Sequence, residues 1–240
     1  MDLDPALSHR ASGPLRRPFR TVEIVGPPGA GKTSLLSALA ERHPGLRPVY
    51  RWRRLRLLPA FARDALELLP FFVDQWRVRQ PLPRRDMERM VRLQTSRRVA
   101  AGWTHELVVM DQGPIYTLAT LQMRASRPAG RDAFDAWSNR VVQEWAGLLD
   151  TVVYLEASDD VLLRRIADRS KPHRLRSGTD ADALRWLAQL RDALEQTVER
   201  FRACAALSVL RFDTGDQELA CIADRIGAEL DRRPHRAGRS

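Results

Sequence analysis

TVEIVGPPGAGKTSLL, residues 21–36, sets the reading of the whole chain. Its first part is a β-branched run entering a glycine turn, the pattern of a buried strand. Its second part opens a segment with Leu35, Leu36 and Leu39 at helical spacing, stopped by Pro44 and Gly45. Between the two, Gly26, Gly29, Gly31, Lys32 and Thr33 fill the spacing G-x-x-x-x-G-K-[ST] in full. Each residue type answers a need. The glycines let the loop wrap closely, so that backbone N–H groups face phosphate oxygens. A lysine reaches the outer phosphates, and the threonine hydroxyl holds Mg²⁺. The helix that starts near Gly31 aims its positive end at the same anion. Gly26, Pro27, Pro28, Gly29, Ala30, Gly31, Lys32, Thr33 and Ser34 are therefore expected to bind a nucleotide, with Lys32 also acting in catalysis.

Outward from this loop, strand patterns recur at residues 47–52, 106–111, 151–157 and 208–214. Helical patterns occupy 58–79, 84–102, 114–125, 131–148, 158–169, 180–204 and 217–232. Nearly continuous apolar strands separated by helices predict an α/β domain whose parallel sheet is covered on both faces. At 240 residues one such domain accounts for the chain. Residues 1–19, basic and containing Pro5, Pro14 and Pro18, read as a disordered leader; residues 20–233 read as the single domain, and 234–240 as a disordered tail. No apolar run approaches the ~20 residues of a membrane span, and the start has no secretory h-region. Cys204 and Cys221 match neither a disulfide framework nor a metal site. The expected compartment is the cytoplasm.

The formal charge is +10, and 38 of the 40 basic residues are arginine. One of the two lysines stands in the phosphate loop, where a slim point charge is needed rather than a planar fork. Positive charge suits anionic ligands. It is spread along the chain rather than gathered in a tail, so nucleic acid is compatible with the composition but not indicated by it.

A second element, LVVMDQGP at 107–114, delivers Asp111 to the carboxyl end of a strand, where the ligand crevice of an open sheet lies. Asp111 and Thr33 are the expected Mg²⁺ residues. Gln112 follows where a water-orienting glutamate would mark a motor-type ATPase, and the chain lacks the N-K-x-D of guanine-reading switches. A phosphoryl donor is the remaining use of the nucleotide.

Between residues 159 and 180 the chain places Arg164, Arg165, Arg169, Lys171, His173, Arg174 and Arg176. Pro172 and Gly178 make the middle a loop, and a basic loop here, near 164–178, is expected to act as a lid that excludes water. Arg165 and Arg169, four apart, share a helix face and are the expected catalytic pair; Arg174 is expected to contact the nucleotide. The acceptor should lie against residues 58–102, flanked by Arg51, Arg53, Arg54 and Arg56 and by Arg84, Arg85, Arg89 and Arg92. Arginine forks suit an anionic acceptor. Leu68, Leu69, Phe72 and Trp76 fall at helical spacing and read as core. Asp111, Asp64 and Asp74 are the candidate general bases, with no ground in the sequence for choosing among them.

GPPGAGKT, VVMDQGP, the arginine-rich 164–178 segment and LRFDTGDQELACIADRI together resemble the P-loop kinases of the nucleoside and nucleotide kinase group, the thymidylate-kinase-like members in particular. The resemblance implies a three-layer P-loop NTPase fold with five parallel strands in the order 2-3-1-4-5. It implies ATP as donor, Mg²⁺ as cofactor, and the turn at 213–216 against the donor base. The sequence departs from the group at Gln112, where an arginine is usual, and at Pro27 and Pro28, where thymidylate kinases carry an aspartate. No early acid matches the group's acceptor-engaging residue in 47–56. The expectation is a Mg²⁺-dependent, ATP-using kinase for a small acceptor, a nucleoside or nucleotide. Another small-molecule or antibiotic phosphotransferase, or an NTP-binding regulatory or nucleic-acid-associated NTPase, is the alternative.

Overall fold

The computed structural model describes residues 20–50, 58–77, 82–100, 102, 106–124, 131–168 and 179–232. Five strands form one sheet: β1 (Arg20–Val25), β2 (Leu46–Tyr50), β3 (Leu107–Asp111), β4 (Thr151–Glu156) and β5 (Ser208–Asp213), in the order β2-β3-β1-β4-β5. Every neighbouring pair is parallel. The helices are α1 (Lys32–Arg42), α2 (Leu58–Glu67), α3 (Leu69–Arg77), α4 (Arg84–Ala100), α5 (Pro114–Gln122), α6 (Arg131–Ala146), α7 (Asp159–Ala167), α8 (Asp180–Cys204) and α9 (Leu219–Arg232).

Strand alternation sorts the core into two layers. Val22, Ile24, Val109, Val153 and Leu155 pack with Leu35, Leu36 and Leu39 of α1 and with Ile222 and Ile226 of α9. Met110, Val152 and Tyr154 face the other way, onto α4, α5, α6 and α8, where Trp145 and Phe201 are among the largest buried side chains. With both faces covered, the strands are apolar almost throughout, as parallel sheets require. The carboxyl ends of β1 and β3 meet where the strand order turns back on itself, which is where such sheets open a crevice.

The helix expected over 58–79 is two helices, α2 and α3, with Leu68 at the joint. Pro70 is the cause: it has no N–H for the Leu66 carbonyl, and its ring crowds that carbonyl. The joint re-phases the apolar stripe. Leu68 is buried and Phe72 half-buried, but Leu69 and Trp76 are 51% and 73% exposed, so their assignment to the core is corrected. Trp76→Ser should therefore move the urea unfolding free energy by no more than about 0.5 kcal/mol, as for an ordinary surface position. A loss of several kcal/mol, the scale for a buried tryptophan, would contradict the exposed placement.

The leader, the tail, the acceptor-side arginines at 51, 53, 54 and 56, and Arg169, Lys171, His173, Arg174 and Arg176 lie outside the described residues.

Candidate phosphate and metal site

β1 ends at Val25, and the chain turns directly into the loop 26–31. Gly26 sits at φ 140°, and a β-carbon there would run into the carbonyl oxygen of Leu155 at the end of β4. Only glycine fits this junction. Gly31, also at positive φ, hands the chain to α1, whose first turn presents Thr33 and Ser34 to solvent. Residues 26–30 are buried, so the loop is packed from below and open on its helix side.

Lys32 is 8% exposed, and its Nζ donates to the carbonyl oxygens of Gly26 (2.7 Å) and Pro27 (2.8 Å). The same ammonium lies 5.2 Å from the centre of the Tyr116 ring, near the start of α5. The lysine therefore spans the mouth of the loop, held by two carbonyls and faced by an aromatic ring.

Asp111, at the end of β3, accepts a 2.7 Å hydrogen bond from the Thr33 hydroxyl on Oδ2. Its Oδ1 is buried and has no hydrogen-bond partner. A buried carboxylate oxygen left without a donor is an electrostatic demand for a cation. Among the described residues no group of three or more His, Cys, Asp or Glu side chains could enclose a metal. That is consistent with Mg²⁺, which is commonly held by one or two side chains together with substrate phosphates and water. Thr33 and Asp111 thus fit the ion expected of them.

Behind Asp111 stands an acid that no sequence motif marks. Glu23, in the middle of β1, has no exposed surface. Its Oε2 accepts from the Ile115 N–H and its Oε1 from the Tyr116 N–H, each at 2.9 Å. Burial pushes its carboxyl up to about 8, with the Asp111 charge adding to the shift and the backbone donors of Tyr116, Ile115 and Gly113 opposing it.

Arg165 does not stand free over the loop. Its guanidinium donates to the Thr214 hydroxyl (3.0 Å), to the Thr214 carbonyl (2.8 Å) and, more weakly, to the Gly29 carbonyl (3.4 Å). Thr214, buried in the turn after β5, in turn bonds the Glu156 carbonyl through both its N–H and its hydroxyl. Arg165 thereby ties α7 and the phosphate loop to the 213–216 turn. Arg165→Ala should lose about 1–3 kcal/mol of stability, because the Thr214 groups are left without their donor. It should also weaken nucleotide binding more than it slows bound-state turnover. Urea denaturation and nucleotide titration check the two parts; an intact binding constant would reject the tie. Arg164 is exposed.

Two of the three candidate bases are engaged elsewhere. Asp64 is fully buried, with Oδ2 taken by the Thr95 hydroxyl (2.6 Å) and Oδ1 by Arg98 (2.7 Å). Asp74 is exposed and 3.6 Å from Arg77. Of the three, Asp111 is the one beside the phosphate loop. On the acceptor side, Asp86 is buried under Arg89 (2.8 Å) and Arg124 (3.1 Å), while Arg84 pairs with Glu88 at the surface.

The sheet order and the glycine loop define a P-loop NTPase domain. A family model described as an AAA domain matches residues 22–185, more than half of the chain, and the chain belongs to that family. Among solved structures, deoxyadenosine kinase from M. mycoides with bound dATP is similar at a TM-score of 0.54 and 15% identity, covering 88% of this chain and 99% of that chain. The same enzyme with the products dCMP and a flexible dCDP gives a TM-score of 0.55 at 15% identity, over 89% and 100% of the two chains. At this identity the likeness is one of fold. No curated protein matches the chain significantly. Among the described residues, no helix is long and apolar enough to cross a membrane.

Proposed function

We propose that the chain is a Mg²⁺-dependent kinase that moves the γ-phosphoryl group of ATP to the hydroxyl of a small, anionic acceptor, a nucleoside or nucleotide. The observation that carries this reading is the pairing of the Thr33 hydroxyl with Asp111, whose second oxygen is buried and unpartnered at the mouth of the phosphate loop. In the reaction the acceptor oxygen forms a bond to the γ-phosphorus as the bond to the ADP oxygen breaks, and the hydroxyl proton leaves to a base or to solvent. Bound Mg²⁺ would neutralise phosphate charge. The chain itself contributes position: loop N–H groups and Lys32 hold the phosphates, and the Tyr116 ring limits the room for water beside the ammonium. Kinship of fold with a deoxyadenosine kinase favours a nucleoside-like acceptor over other metabolites.

Membership in the AAA domain family gives weight to a second reading, an NTPase acting without an acceptor. Gln112 speaks against it, because a neutral amide replaces the carboxylate that would polarise water. The test is ADP release from ATP and Mg²⁺ with and without a panel of nucleosides and nucleoside monophosphates. Acceptor-stimulated turnover supports the kinase. Turnover indifferent to every acceptor, or one stimulated by DNA or RNA in a steeply salt-dependent way, rejects it.

A further inference from the structure

By strand alternation Glu23 faces away from Val22 and Ile24, into the layer of its register neighbours Met110 and Val152. An apolar side chain would suit that layer. A fully buried carboxyl stands there instead, which is costly unless it is satisfied. Its partners are the backbone N–H groups of Gly113, Ile115 and Tyr116. Those are the donors that the start of α5 leaves free, since Pro114 has none to give. The fit is close: a β-carbon on Gly113 would lie 2.8 Å from the Glu23 carboxyl carbon.

A side chain from β1 therefore caps the helix that begins three residues after Asp111. Between them Gln112 is held at φ 64°, a conformation that non-glycine residues adopt only under constraint. Two groups of the phosphate site depend on this joint. Asp111 precedes it, and Tyr116, whose ring faces the Lys32 ammonium, follows it.

We propose that Glu23 is a positioning residue: by capping α5 from the central strand β1 it fixes the Asp111–Gln112–Gly113 turn, and with it the orientation in which the Asp111 carboxylate meets the Mg²⁺ of the nucleotide. The α5 N-terminus is thereby filled from inside. The role depends on the nucleotide-binding function proposed above, and the experiment separates the two.

Fluorescent N-methylanthraniloyl-ATP would be titrated into the full chain in EDTA and in rising Mg²⁺, with melting midpoints recorded alongside. In titrations held above about pH 8, where the folded Glu23 carboxyl is ionised and both its oxygens accept, Glu23→Gln keeps the size but turns an amide NH₂ toward one backbone N–H, donor against donor. Its Mg²⁺-free affinity should stay within about twofold of wild type, while the Mg²⁺ concentration for half-saturation rises about 10–100-fold, as for other outer partners of metal ligands. Gly113→Ala keeps the acid in the sequence, but its β-carbon must displace the Glu23 carboxyl and so strains the same joint from the other side. It should shift Mg²⁺ half-saturation in the same direction, and it keeps the test open if Glu23→Gln does not fold. A lowered melting midpoint with wild-type Mg²⁺ dependence would make Glu23 merely structural and overturn the proposal. An equal loss of Mg²⁺-free and Mg²⁺-bound affinity would overturn it too. Failure of the wild-type chain to bind the nucleotide at all would remove the function proposed above together with this role.

Discussion

Replacing Lys32 with alanine should lower acceptor-dependent ADP release by about 100- to 1,000-fold, the scale for losing one preorganised donor to developing charge. Lys32 Nζ sits 2.7 and 2.8 Å from two loop carbonyls, so the ammonium already lies where the outer phosphates must enter. Lys32→Arg should not restore the rate. The pocket between the loop and the Tyr116 ring holds a point charge, and a planar fork would need a different set of partners. The fold should survive either change. Alanine leaves the Gly26 and Pro27 carbonyls without this donor, a cost of about 1–3 kcal/mol against the stability of a domain this size. A coupled ADP assay and a thermal-shift series with ATP check both parts. Wild-type turnover in Lys32→Ala would remove the phosphate loop from the reaction, and a variant that melts at room temperature would show a structural role instead.

What could be read ahead of the structure follows from how far apart the interacting groups lie. The phosphate loop packs its chemistry into consecutive residues, so Gly26 to Thr33 was legible without any partner. The helix break at Leu68 was signalled by Pro70, but a continuous apolar spacing on both sides masked it and placed Leu69 and Trp76 in the core. Thr33 and Asp111 were legible singly. Their 2.7 Å contact spans 78 residues, and only the β1–β3 pairing creates it. The positive charge of Arg165 suggests a phosphate partner, but no local pattern foretells its bonds to Thr214 and the Gly29 carbonyl, which folding brings to it. The strand order 2-3-1-4-5 came from family resemblance, because no local pattern encodes which strands become neighbours. Glu23 leaves only a faint signal, one acid inside a β-branched run. Its partners are backbone N–H groups 92 and 93 residues further on, and backbone atoms leave no mark in a sequence.

That acid also yields the second large effect, a dependence of stability on pH. The folded carboxyl of Glu23 is pushed from 4.5 up to about 8, chiefly by burial. Between those two values the folded chain keeps a proton that the unfolded chain has released. Stability is therefore greatest, as far as this group decides, below about pH 4.5, and it declines as pH rises toward about 8. Over the whole window the loss amounts to about 5 kcal/mol, an appreciable share of a domain's stability. Above pH 8 both states are ionised and the slope from this group ends. Glu67 and Glu195, whose carboxyls are held below the ordinary value mainly by Arg63 and Arg98 and by Arg211, lose their contributions only as pH falls below about 4.5, outside the window. Urea unfolding at intervals from pH 5 to 8 should show the decline in the wild-type chain. In Glu23→Gln, which has no proton to release, the profile should flatten, and the difference between the two curves isolates the residue. Parallel curves for the two proteins would show that Glu23 titrates alike in the folded and unfolded states. Its burial beneath α5 would then carry no free-energy consequence for ionisation, and the carboxylate would have to be stabilised by the Gly113, Ile115 and Tyr116 donors as fully as by water.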